Sequence, residues 1–165
     1  MSDRDQNFNK FGEADIGTAD RIRRLVVEQR YGVLCTQVNG QPYGSMIALV
    51  FTDDLTQAVF STPRATRKYR NLIECPKVAI VVNNLDHCPG QLMKAEAVTI
   101  TGVANEVVDE EDCRRWAKQL VKRHPELSGF AVSPSTALFT VKLKRFFLVH
   151  SFQKVTQWRP PQIDV

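Results

Sequence analysis

The chain has 165 residues, 43% hydrophobic and 24% charged, with a formal charge of +4 and a pI near 9.0. That balance describes a globular chain long enough to bury a core and excludes an intrinsically disordered one. The positive charge is too mild and too dispersed to argue for a nucleic-acid partner, and no apolar run approaches the ~18–20 residues of a membrane span.

Residues 1–17 are polar, with Phe8, Phe11 and Ile16 scattered among Asp, Asn and Gly. They read as an arm ahead of one domain over 18–158, with 159–165 as a tail. Thr18 is expected to cap a helix whose Ile22, Leu25 and Val26 share one face, and which Tyr31-Gly32 breaks. A strand over 33–38 meets Asn39-Gly40, a strong hairpin signal, and returns over 43–51. Asp53-Asp54 marks the next turn, and 57–61 forms a third strand.

After a basic turn and a short helix toward Ile73, Pro76 precedes a fourth strand over 77–82. Residues 83–91 are a breaker-rich loop, and 93–107 read as one long alternating strand. The acidic head Asp109-Glu110-Glu111-Asp112 opens a helix that Lys118, Lys122 and Arg123 close. Cys113, Trp116, Ala117, Leu120 and Val121 fall on its apolar face. His124-Pro125 ends it, and 137–150 form the last strand. Six strands joined mainly by hairpins, with helices at the corners, predict a mainly β, α+β fold built on an antiparallel barrel.

Cys35, Cys75, Cys88 and Cys113 show no CxxC pair, and His87-Cys88 beside Cys75 matches no common zinc spacing, so no metal site is assigned. No signal peptide is legible at the start, and free thiols in a reducing cytoplasm are the expectation.

The stretch Phe60-Ser61-Thr62-Pro63-Arg64-Ala65-Thr66-Arg67-Lys68-Tyr69-Arg70-Asn71-Leu72 stands apart. It reads as a strand end, a turn and a helix start capped by Thr66. Arg64, Arg67, Lys68 and Arg70 crowd a helix end that is already electropositive, a mismatch costing about 0.3–1 kcal/mol per exposed charge. A phosphate placed there reverses the sign, because free N–H groups and the dipole both favour an anion. The acid-headed helix obeys the dipole rule that this one breaks, which points to function at the second.

These residues, with the order of elements around them and Pro76-Lys77-Val78 beyond, resemble the pyridoxamine 5′-phosphate oxidase-like FMN-binding split β-barrels. The resemblance implies that Ser61, Thr62, Arg67 and Lys68 hold the FMN phosphate, with Thr66 as helper. It implies that Ser45, Met46, Ile47 and Ala48 lie against the isoalloxazine ring and ribityl chain. Gly44 fits either a close backbone approach to the ring or a simple bulge. The family also implies a homodimer with flavin sites at the subunit interface, and oxidoreductase chemistry that is the cofactor's own at N5.

Departures from the oxidase proper are equally specific. Its C-terminal arginine–histidine pair has no match in Arg145-Phe146-Phe147-Leu148-Val149-His150-Ser151, nor its glutamine near Ala95-Glu96-Ala97. Pyridoxal phosphate synthesis is therefore not expected; a general member acting on an undetermined small molecule is. The alternatives are a non-catalytic FMN or haem binding or storage protein, a reductase using the deazaflavin F420, and a basic adaptor with an empty site. No nucleophilic triad, paired-carboxylate site or P-loop is present, so no catalytic residue is assigned. His150 at a strand end and His87 in the loop are candidates to approach a flavin or haem. His124 reads as structural at a helix end, and Trp116 as core. Trp158 reads as a dimer contact or flavin-edge partner.

Overall fold

The structure, a computed structural model, describes residues 16–151 and 154–161; the rest of the expected arm and the end of the tail lie outside them. Helix α1 (Ile16–Glu28) leads into β1 (Tyr31–Val38), β2 (Gln41–Phe51) and β3 (Gln57–Pro63). Helix α2 (Arg67–Glu74) precedes β4 (Lys77–Asn83) and β5 (Ala97–Glu106), with two 3-10 turns between those strands. Helices α3 (Glu110–Arg123) and α4 (Ser128–Ala131) precede β6 (Thr136–His150) and β7 (Lys154–Trp158).

The first helix departs from expectation at both ends. It already includes Ile16, so Thr18 lies inside it, and Tyr31-Gly32 open β1 instead of merely ending the helix. Gly32 belongs in a strand because β4 crosses tightly there: a Cβ would sit 3.1 Å from the Val81 carbonyl oxygen. The Asn39-Gly40 turn forms as expected, with both residues at positive φ (51° and 77°), and the hairpin pairs from Val38↔Gln41 to Tyr31↔Ala48.

All strands are antiparallel, in the order β3-β2-β1-β4-β5-β6-β7, and β3 also pairs with β6. That extra pairing closes six strands into a barrel. Strand β6 is long enough to serve two neighbours along one edge: β3 lies beside 136–142, and β7 beside 146–150. The seventh strand was not expected. Its Trp158 packs edge-on against Phe146, with ring centroids 5.1 Å apart, as part of the core periphery.

The lumen is filled by Leu34, Ile47, Leu49, Phe60, Ile80, Ile100, Phe139, Phe146 and Leu148, all buried, with α1 contributing Ile22, Leu25 and Val26. Phe60 and Phe139 stack at 5.5 Å across β3 and β6. A smaller apolar cluster lies outside the barrel, where Trp116 and Leu120 of α3 cover Val59 and Leu138. Cys113 and Val121 of the expected apolar stripe are only half-buried.

Strand β5 is shorter than the predicted 93–107, because Leu92–Lys94 form a 3-10 turn. A bulge interrupts its ladder with β6: Thr101 faces Arg145 and Gly102 faces Leu143, leaving Lys144 without an opposite number. Gly44 is not a bulge. It sits in regular register opposite Cys35, with ordinary room for a Cβ.

Candidate functional site

The basic turn is where β3 hands over to α2. Thr66 adopts extended backbone (φ −87°, ψ 155°) and caps α2 by accepting from the Tyr69 amide at 3.2 Å. Its hydroxyl proton goes to the Pro63 carbonyl at 2.9 Å, so the Thr62 hydroxyl, 3.1 Å away, donates to Thr66. Thr62 is fully buried and braces the turn from inside; Ser61 is half-exposed. The Arg64 amide bonds the Ser135 carbonyl at 2.9 Å, fixing the turn to the segment before β6.

Deeper in α2, Asn71 is buried and its side-chain amide donates to the Thr36 hydroxyl at 3.0 Å. Thr36 in turn donates to the Tyr43 carbonyl at 3.3 Å. Leu72 enters the core. The helix is thus held over the barrel mouth by a cap, a buried polar relay and an apolar anchor.

The four cations of the turn divide into spent and unspent. Arg64 forms an ion pair with Glu106, donates to the Tyr69 hydroxyl at 3.0 Å and lies over the Tyr69 ring. The Tyr69 hydroxyl also bonds Glu106 at 3.2 Å, and hydrogen bonding to Glu106 raises the Arg64 pKa. Among the described residues, no carboxylate lies within ion-pairing distance of Arg67, Lys68 or Arg70. Arg67 stands over the Tyr43 ring, 5.1 Å from its centroid. Lys68 is half-buried, and that burial pulls its ammonium below the ordinary lysine value. The first turn of α2 carries no acid.

Beside this turn the barrel opens. Strand β2 pairs with β1 over Gln41–Ala48, but its ladder with β3 covers only Leu49–Phe51 against Ala58–Phe60. Ser45, Met46, Ile47 and Ala48 therefore present a backbone edge that no strand among the described residues occupies. Met46 is 65% exposed on the outer face, while Ile47 points into the core. The Ser45 hydroxyl is buried and forms no hydrogen bond with the described residues. An unpaired backbone edge, a buried free hydroxyl and two unneutralised cations at a helix start suit a phosphorylated ligand with a flat polar ring.

Other candidates are placed elsewhere. His124 is fully buried beyond α3, with Nε2 3.1 Å from the Leu49 carbonyl, so that nitrogen carries the proton. His150 is buried beside Thr156. His87 is exposed in the β4–β5 loop, near Asp86. Tyr43, Asn71 and Glu106 are participants the sequence reading did not single out. Nothing local marks Tyr43 or Glu106, whereas Asn71 fell within the motif but without a role.

A family model described as pyridoxamine 5′-phosphate oxidase matches residues 18–150. No curated protein sequence matches the chain. Solved structures share its fold. The haem storage protein HutZ from Vibrio cholerae superposes with a TM-score of 0.67 at 22% identity, over 76% of this chain and 89% of that one. A haem-binding protein from Mycobacterium smegmatis reaches 0.75 at 15% identity, over 86% of this chain but only 57% of that one. An FAD-binding protein from Mesorhizobium loti reaches 0.64 at 15%, over 79% and 92%. At such identities the structural likeness shows the fold alone. The family match, however, runs from α1 to the end of β6 and takes in the whole closed barrel, so the chain belongs to the pyridoxamine 5′-phosphate oxidase family as one of its general split-barrel members.

Proposed function

We propose that this protein binds FMN at the mouth of the barrel and serves as a flavin oxidoreductase for an undetermined small molecule. The observation that carries this reading is the start of α2, where Arg67 and a half-buried Lys68 stand without acidic partners. A dianionic phosphate would complete both, with Ser61 and the free α2 amides as further donors and Thr62 acting through Thr66. The open edge of Ser45–Ala48 would offer backbone donors and acceptors to the ring. Flavin, when bound, supplies hydride transfer at N5; the chain's part is to hold the phosphate, orient the ring and exclude water.

Haem is the second reading, because two of the similar structures are haem proteins. Here, two of the three histidines are buried in other contacts, which leaves His87 as the accessible one. A second copy of the chain is proposed to cover the outer sheet face and share each flavin site.

Absorbance of the purified protein separates these readings: flavin bands support the first, a Soret band the second. Arg67→Ala with Lys68→Ala is expected to weaken FMN binding by about 2–4 kcal/mol, roughly 30- to 1000-fold, through lost charge-assisted bonds. Riboflavin, which lacks the phosphate, should be affected far less. Unchanged FMN affinity in that double variant would remove the phosphate assignment.

A further inference from the structure

Resting on the FMN reading, we infer that Tyr43 is a positioning residue that aims Arg67 at the phosphate. Arg67 is an exposed side chain at the first position of α2, where it meets the dipole's positive end and its neighbour Lys68. Left to itself, such a guanidinium would sample many rotamers and swing away from both. The Tyr43 ring intervenes. It sits below the guanidinium carbon at 5.1 Å, a distance at which the ring's negative face attracts a cation. One side of the Arg67 guanidinium is then taken up by the ring, while no hydrogen bond to a described residue uses its N–H groups, which remain available to an anion.

The placement of the ring is itself built into the fold. The Asn71 amide donates to Thr36, and Thr36 donates to the Tyr43 carbonyl, in a chain that runs from α2 through β1 to β2. Asn71 and Arg67 are one helical turn apart on α2. The buried end of that turn therefore fixes the backbone of Tyr43, and the exposed end rests on its ring. Thr36 and Asn71 are buried, so this spacing is held by groups shielded from competing water.

The test is a binding cycle read with FMN and riboflavin by flavin fluorescence. Tyr43→Leu should weaken FMN about two- to fivefold, the range of an exposed cation–π contact, and leave riboflavin unchanged. Tyr43→Phe keeps the π face and should retain affinity. In an Arg67→Ala background, Tyr43→Leu should cost nothing more. An equal loss in that background, an equal loss for riboflavin, or no loss at all would overturn the role of Tyr43 while leaving the FMN site standing. A wild-type chain that binds no FMN would overturn both. Should Tyr43→Leu fail to fold, ring-current shifts of the Arg67 side-chain protons in the wild-type chain decide: their presence supports the stacking and their absence refutes it.

Discussion

Lys68 holds its charge against its surroundings. Burial disfavours the ammonium, and no carboxylate among the described residues compensates it. Its folded pKa lies below the ordinary 10.5, so the folded state carries a penalty at neutral pH that is relieved as pH rises from the folded value to the unfolded one. Removing the charge should therefore not harm the free protein. Lys68→Met is expected to melt at or above the wild-type temperature near pH 7 while binding FMN more weakly. Affinity of the wild-type chain for FMN should fall as pH rises through that lowered pKa, and the fall should be missing in Lys68→Met. Calorimetric melts and flavin titrations from pH 7 to 10 check both halves. A Lys68→Met chain that is markedly less stable would show that the side chain is structural. Arg64 makes the contrast: bound to Glu106 and Tyr69, it has little left for a ligand, although sequence alone shows four equivalent cations.

At the scale of elements, what the sequence disclosed was what local chemistry decides. The Asn39-Gly40 hairpin, the Thr66 cap and the acid-headed α3, capped by Asp109 through the amides of Glu111 and Asp112, follow from groups a few residues apart. The basic, acid-free start of α2, on which the proposed phosphate site rests, was legible for the same reason. Features set by a distant strand were not. Strand β7 is a short five-residue segment that exists because the upper edge of β6 is free to pair with it. The bulge leaves a trace in the adjacent exposed pair Lys144-Arg145, which breaks the alternation of Val141, Leu143, Phe146 and Leu148, but locating it requires β5 opposite. Gly102 is the residue that permits it: a Cβ there would lie 2.6 Å from the Lys142 carbonyl oxygen and 2.7 Å from a Val141 methyl. Since backbone cannot yield as a side-chain tip can, Gly102→Ala should destabilise the barrel by about 1–3 kcal/mol, the usual range of overpacked cores. Urea unfolding would measure it. A loss under about 0.5 kcal/mol, typical of a surface change, would mean that the β5–β6 crossing is looser than this geometry.

For the whole molecule, closure and opening are set by where pairing stops. Strand β3 closes the barrel against β6 and leaves β2 after only three paired positions, so the candidate flavin edge is a product of topology rather than of any special residue. The same topology produces an outer face whose side chains lie in one cross-strand row: Met46, Val33, Val81, Thr99 and Phe147. Val33, Val81 and Thr99 are half-buried and Met46 largely exposed, an apolar strip beside the proposed ring site. A second copy laid on this strip would bury it and wall the flavin from water, which links assembly to binding. Val81→Glu tests that link because its side chain points outward and its loss should not disturb the lumen. The wild-type chain is expected to behave as a dimer in light scattering, and Val81→Glu as a monomer with nearly unchanged melting but weakened FMN binding. Val81→Thr, similar in shape, should stay dimeric. A wild-type monomer that binds FMN fully, or a Val81→Glu dimer, would separate the cofactor site from assembly and leave the cradle at α2 as a site complete within one chain.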